Sequence, residues 1–517
     1  MWNRSRRWAE GTARWAILGA CLRPAAVRAE EGFVDLDGQW RPFQLTYWTH
    51  IAQPRGPPRY WLAAAEDAGW LALGLVYYWA NPSLNRADWD QSSLSDRLTV
   101  DAFRFDNNNT ITNHVIHPFA GSAYYGFARV NNLGPAVAAA YGFGSAFVWE
   151  YALEWREVVS VNDLVFTGIA GLPIGEFFFQ MGEYATSAPN PGWIGSVLAA
   201  TFGLPRTVHQ AILDDEAPPP LPLDNLGLSS ARAHRFLLAA HYGPNTNARS
   251  VEHLFGFLAE AEVVALPGYG RPGEFASTFF NGAFTEGELT LDTNSALSMD
   301  LDVRFEAVYL GRYWQAYTHR VGSSALDGHA GLVGLSTAVE YVDHRFEDHD
   351  DQVAITHLAG PALSRWDRQG PLWSRFDLRA FVDFAAIRSL GFGRWRLQND
   401  VDGVKSVLVD QNYQFHLGGS ARVRATAGYE QFSLGVVGSY GLYGGLEGLD
   451  REEEDVTQSA TSREQIWDAQ AHLGYRFDDP GLEVRYVAEA FGRGSEYASE
   501  GVRRWDLRNR LSVGLGF

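Results

Sequence analysis

From Trp505 to the last residue, apolar side chains take alternate positions: Trp505, Leu507, Leu511, Val513, Leu515 and Phe517, while Asp506, Arg508, Arg510 and Ser512 take the others. Alternate residues of a strand point to opposite faces, so this segment has one oily face and one charged face. The edge strand of a soluble sheet can look the same, and repetition decides between the two. Leu301, Val303, Phe305 and Ala307 alternate with Asp300, Asp302, Arg304 and Glu306, and Phe376, Leu378, Ala380, Val382 and Phe384 oppose Arg375, Asp377, Arg379 and Asp383. Trp467, Ala469, Ala471, Leu473, Tyr475 and Phe477 oppose Asp468, Gln470, His472 and Arg476. Roughly twelve such segments follow Arg235, each near the about 9–11 residues that a tilted strand needs to cross a bilayer.

The connections between segments alternate in length. Asp478-Asp479-Pro480-Gly481, Glu430-Gln431 and 366–370 are short, whereas 389–413 and 447–464 are long, the latter with the acidic run Arg451-Glu452-Glu453-Glu454-Asp455. Short turns on one side and long loops on the other are the habit of bacterial transmembrane barrels. With its terminal aromatic, the chain resembles an outer-membrane β-barrel protein, whose final strand and C-terminal Phe form the recognised insertion signal. That resemblance implies contact with outer-membrane lipid and insertion by the barrel assembly machinery, with the short turns in the periplasm.

At 517 residues, two domains are expected. The 53 glycines and 14% aromatics suit a sheet alternating polar and apolar positions. A net charge of -19 leaves little basic surface to neutralise phosphates, so no nucleic-acid partner is expected. Arg4, Arg6, Arg7 and Arg14 precede a short apolar run and small residues, which reads as an export signal over 1–29; Leu18-Gly19-Ala20-Cys21 also fits a lipobox. Cys21 is the sole cysteine, so packing and strand pairing must provide the stability. The Pro-rich stretch Pro218-Pro219-Pro220-Leu221-Pro222, within 214–230, reads as a linker. It separates a helical domain, 30–213, with helix-length apolar blocks at 136–153, 161–181 and 193–208, from a barrel over 231–517. No run of about 18 uninterrupted apolar residues predicts a simple transmembrane helix, and 68–79, which follows Glu66-Asp67, is expected to be a short buried or interfacial helix. The expected fold class is α+β in separate domains: a helical domain followed by an antiparallel transmembrane barrel of about twelve strands.

The densest chemistry lies in the helical half: Phe105-Asp106-Asn107, Asn113-His114-Val115-Ile116-His117-Pro118-Phe119-Ala120-Gly121, Ala128-Arg129, Trp149-Glu150-Tyr151 with Glu154, then Ser160-Val161-Asn162-Asp163-Leu164 and Thr167. This ordered series over roughly 60–210 resembles the bacterial family catalogued as domain of unknown function 3943, with Phe119 where Tyr is frequent and Val161 where Ile is usual. The resemblance implies an envelope protein with a β-rich region after the helical one, and brings no activity with it.

His114 and His117 are three apart and Glu150 and Glu154 four apart, so each pair shares a face if helical. Converging with Asp163, these five are the candidate catalytic residues. The same His/Glu cluster is the candidate for a divalent metal, and no other cofactor is implied. Against this stand structural readings. Ser160-x-x-Asp163 is a capping box, Gly171-x-x-x-Gly175 allows close helix packing, and Arg129 can pair with Glu150 or Glu154 as a buried ion pair. The run from Asp343 to Asp351 has ligand types for a cation without EF-hand spacing, and reads as a solvated loop. The function expected is that of an envelope barrel, structural or transport-related, with a periplasmic or membrane-apposed helical domain. The alternatives are an enzyme acting on lipid or cell-wall precursors and a scaffold for other envelope proteins.

Overall fold

The computed structural model describes residues 56–80, 94–99, 102–106, 108–154, 159–187, 192–213, 226, 228 and 232–516 apart from 248–250, 267, 295–297, 321–324, 347–348, 402–405, 447–460 and 478–480, together with the paired strands Gly32–Val34 and Trp40–Pro42. The export signal, the proline run, the acidic run at 451–455 and Phe517 lie outside the described residues.

The strands are β1 (Ala233–Asn247), β2 (Val251–Val264), β3 (Gly273–Phe279), β4 (Phe284–Thr293), β5 (Met299–His319), β6 (Leu326–Phe346), β7 (His349–Gln369), β8 (Leu372–Arg388), β9 (Tyr413–Tyr429), β10 (Phe432–Gly445), β11 (Ser462–Arg476), β12 (Leu482–Tyr497) and β13 (Glu500–Gly516). They form one antiparallel sheet, in which twelve strands close into a barrel, with β13 pairing back onto β1. The thirteenth, β3, pairs with 311–317 of β5 while β4 pairs with 299–308, so β3 continues the line of β4 across an interruption at 280–283.

The alternation sorts as its polarity dictates. In β13, Leu511 is 54% exposed and faces out, while Arg508 is 1% exposed and faces the lumen. Ion pairs line the lumen: Arg375 reaches across it to Glu286 at 2.6 Å, Arg304 meets Glu340 on the neighbouring strand at 2.9 Å, and Arg375–Asp377, Arg304–Glu306 and Arg508–Asp506 pair along single strands at 2.7, 2.9 and 3.0 Å. Buried charges persist because each is paired; one stripped of its partner would be strongly destabilising. At the end bearing the long connections, Val342, Val353, Ile355, Ile387, Ile466 and Phe491 pack together across the lumen. The connection between β8 and β9 folds over this end as α8 (Leu390–Trp395) and α9 (Val407–Gln411), with Phe392 against Tyr497.

The run from Asp343 to Asp351 is not a solvated loop. Strands β6 and β7 continue through most of it, His344 bonds Asp302 at 2.6 Å, and Asp351 pairs with Arg493, because alternate members of the run face the lumen. Trp366 likewise lies in a strand, with the turn confined to Gly370 and Pro371.

The helices are α1 (Tyr60–Ala80), α2 (Leu94–Arg97), α3 (His117–Val130, entered through a π-turn at Thr112–Ile116), α4 (Pro135–Val148, leaving through a π-turn at Trp149–Leu153), α5 (Val161–Ala185, with a π-turn at Phe166–Ala170), α6 (Trp193–Phe202) and α7 (Leu204–Leu213). They pack on the outside of the barrel. Arg304 and Glu340 pair inside the lumen, so Phe305, Val339 and Tyr341 point outward, and their register carries the same outward face to Ala354, Ala386 and Phe415. Phe105, Phe166, Ala170 and Ile174 pack on these residues, and farther along α5 Phe177, Met181 and Tyr184 meet Phe236, Val263 and Phe305. Helix α5 therefore runs from the long-connection end of the wall to the short-turn end. Its 25 residues and hydropathy of 1.4 are long and apolar enough to cross a membrane. In the sequence Asn162, Asp163, Glu176 and Glu183 interrupt the apolar run; in the structure all four are buried against partners. Helix α1 is also longer than the 68–79 expected, and it is neither short nor buried, since Glu66 and Asp67 turn inward and do not stop it.

Candidate functional site

Three polar assemblies could carry chemistry, two between helices and barrel and one in the lumen.

The first lies where α3, α4 and α5 meet the wall near β9. Ser160 is the N-cap of α5, its Oγ accepting the Asp163 backbone N–H at 3.2 Å. The reciprocal half of the expected capping box comes from elsewhere: the Ser160 N–H donates to Glu150 Oε2 at 3.3 Å. The Asp163 carboxylate is thereby released to accept Asn162 Nδ2 at 2.9 Å and to face His117 Nε2 at 3.6 Å, while His117 Nδ1 meets Thr167 Oγ1 at 3.1 Å. Asp106 gathers the rest, accepting from Asn162 at 2.7 Å and from Asn113 at 2.9 Å, and Asn113 also donates to the Tyr413 hydroxyl of β9 at 3.1 Å.

His117, Asp163 and Glu150 are thus brought together, the last through Ser160. His114 is not joined to them. Its ring lies edge-on to Phe166 and Tyr413, with centroids 4.8 and 5.1 Å away, and neither ring nitrogen has a hydrogen-bond partner. Glu154 lies past the π-turn, where its backbone carbonyl accepts Arg97 Nη2 at 3.3 Å. Spacing three apart does not give the histidines a common partner: His114 lies in the π-turn with its ring between Phe166 and Tyr413, while His117 begins α3 and turns to Thr167 and Asp163. Among the described residues no group of three or more His, Cys, Asp or Glu is arranged to hold a metal ion. Asp106, Asn113, Asn162 and Thr167 complete the assembly. They sit in the same motifs, but Asn113, Asn162 and Thr167 carry no titratable group, and Asp106 has no second titratable residue at helical spacing in its own segment to mark it.

The second assembly centres on Glu176, fully buried on α5. Arg129 pairs with it through Nε at 2.8 Å and Nη2 at 3.1 Å, Tyr125 donates to it at 2.5 Å and Gln180 at 2.7 Å. Arg129 therefore joins neither Glu150 nor Glu154, as the sequence suggested; one helical surface carries it toward α5 instead. Arg129 Nη2 also donates to the Asn281 carbonyl at 3.1 Å, and Gln180 reaches the Gly282 carbonyl at 3.4 Å. Those carbonyls belong to the interruption between β3 and β4, where the ladder does not pair them. The helices supply the donors that the broken strand lacks.

The third is a lumen cavity of about 1480 Å³ whose lining includes Arg375, Arg422, Arg424, Arg485, Glu260, Glu262 and Glu288 and reaches Pro371, Glu430 and Gln431 at the short turns. Its lining carries nine arginines against six carboxylates.

No curated protein sequence matches the chain. Solved barrels that align with it include Pseudomonas aeruginosa OccK8 (OprE), at 11% identity over 55% of this chain and 98% of that one with a TM-score of 0.19. Others are a loop-deletion form of OmpT, an outer membrane protein of Vibrio cholerae, at 8% identity over 56% and 100% with a TM-score of 0.16, and Pseudomonas putida OprB at 9% over 56% and 94% with a TM-score of 0.20. At such TM-scores these likenesses carry no weight beside the strand pairing itself. The helical region has a firmer counterpart: residues 102–203, which hold both polar assemblies of the helices, match the family model described as Domain of unknown function (DUF3943).

Proposed function

We propose that this is a transport-related outer-membrane protein, whose barrel is a one-ended vestibule for a small anionic solute and whose helical domain is membrane-apposed. The vestibule carries the reading. A cavity of about 1480 Å³ reaches the short-turn end, the periplasmic end in barrels of this kind, and the other end is filled by the apolar cluster around Val353, Ile387 and Phe491. A binding chamber suits this arrangement better than an open pore. In a chain of net charge -19, an arginine-rich lining is the feature that favours anions, with Arg375 and Arg424 already paired to Glu286 and Arg510 to Asp292 behind it. Insertion by the barrel assembly machinery and an export signal belong to the same reading.

We read the His117, Asp163 and Glu150 assembly as a structural joint. Its members are buried or nearly so and satisfy a helix start, a π-turn and the Tyr413 hydroxyl. The enzyme reading would need these groups to face a substrate-sized space.

Trp366 and Trp373 line the vestibule, so their fluorescence reports occupancy. Titration of the purified protein with succinate should give a saturable change, weaker for Arg422→Ala, with putrescine giving little. A large steady conductance in planar bilayers, or equal response to dianion and dication, would sink the proposal.

A further inference from the structure

The helical layer is polar inside and apolar outside, the reverse of a soluble domain. Every described Asp, Glu, Arg or His in α1, α3, α4, α5, α6 and α7 is buried or half-buried. Glu66 meets His209 and Asn131, Asp67 meets Ser145, and Arg206 pairs with Glu183 at 2.5 Å. The large side chains left exposed on the same helices are apolar or aromatic: on α1 Trp61 is 90%, Leu73 63% and Val76 66% exposed, and Phe147 of α4 and Ile212 of α7 are exposed as well. In water such a face would cost about 25 cal/mol for each Å² of apolar surface left uncovered. Scattered exposed apolar residues need no explanation; six helices without an exposed charge do, Asp96 of the short α2 being the exception in the layer.

The surface is also placed beside one whose solvent the barrel reading already sets. Helix α5 crosses the outward face from Phe236 of β1 and Val263 of β2 to Phe415 of β9, and the bare outward face appears on β10 with Leu434 and Val436 and on β13 with Leu511 and Val513, all exposed. At about 1.5 Å per residue, the 25 residues of α5 span about 37 Å, against about 30 Å for a hydrocarbon core.

We infer that the helical layer is immersed in the bilayer: its exposed face contacts lipid acyl chains, continuous with the barrel's own lipid belt, and the domain hangs in neither the periplasm nor the lumen. The inference rests on the outer-membrane barrel reading and goes beyond it. It also explains why Arg129 and Gln180 cap the open carbonyls at Asn281 and Gly282, since no water reaches a wall covered by lipid-embedded helices.

The test uses the full chain reconstituted in phosphatidylcholine and phosphatidylglycerol vesicles. Single cysteines on a Cys21→Ser background carry nitroxide labels at Leu73, Phe147 and Ile212, at Val436 on the bare wall and at Leu397 in the connection between β8 and β9. All five side chains are exposed, so folding should survive labelling. Collision with oxygen should exceed collision with a water-soluble nickel chelate at the three helical positions, in the same sense and size as at Val436 and opposite to Leu397. Water-like values on the helices with a lipid-like Val436 would overturn this inference and leave the barrel reading standing. Helical labels reached by neither collider would mean that protein covers the face, which also overturns it. A water-like Val436 would defeat the barrel reading itself.

Discussion

Glu176 shows how much one buried carboxylate can hold in this fold. Its two oxygens take Arg129, Tyr125 and Gln180, and the same arginine reaches across to the Asn281 carbonyl, so one side chain ties α3, α5 and the barrel wall together. Removing it strands a guanidinium in an apolar place, and Glu176→Ala should cost about 3–5 kcal/mol. Glu176→Gln retains an acceptor and should cost less. The temperature at which the folded band converts to the slower unfolded band on a gel would measure both. If Glu176→Ala converts at the wild-type temperature, the lock has been misplaced. At the other polar assembly, Ser160→Ala should lose a helix cap worth about 1 kcal/mol. Asp163→Glu, one methylene longer in a site 2% exposed, should overpack and cost about 1–3 kcal/mol. The structural reading requires both to lower folded abundance together with any cellular phenotype. Lost phenotype at full abundance for Asp163→Glu would revive the catalytic reading.

Close approach between elements depends on a few glycines. A Cβ at Gly121 of α3 would run into the Thr167 carbonyl of α5, and one at Gly171 would lie 2.6 Å from the Gly121 backbone. The Gly171-x-x-x-Gly175 spacing therefore does serve close packing, and Gly121 is the partner that the spacing alone did not name. Gly121→Val should push α3 off α5 and open the helical layer to protease, while β1 to β13 stay resistant. Layer and wall are further joined by Phe105, Phe166, Phe384 and Phe415, with ring centroids 4.5 to 6.4 Å apart. Phe166→Ala should cost about 3–5 kcal/mol, read as the same selective proteolysis. Uniform loss of both halves would mean that layer and barrel fold as one unit.

For the molecule as a whole, closure of β13 onto β1 removes the sheet edge, and the barrel should migrate faster unheated than boiled. Its orientation is open to a topology test. Tags at Glu453 and Asp348 should be reached from outside intact cells, and a tag at Asp479 should not. The reverse pattern would turn the vestibule outward and the apolar cluster toward the periplasm.

Much of the barrel was legible in the sequence, because a strand has period two and lipid and lumen differ sharply in polarity. Arg508 against Leu511, or Asp377 against Phe376, declares its side without reference to any neighbour. The ordered motifs of the helical half were legible in the same local sense, as was the cap at Ser160. Partners were not. Arg129 chose Glu176 over Glu150 and Glu154, and His114 parted from His117, because those choices depend on helix crossing and π-turns that spacing does not encode. The side of the barrel on which the helices sit was likewise decided only by tertiary packing: Phe166 buries itself against Phe384 and Phe415, residues that alternation alone would have left facing lipid.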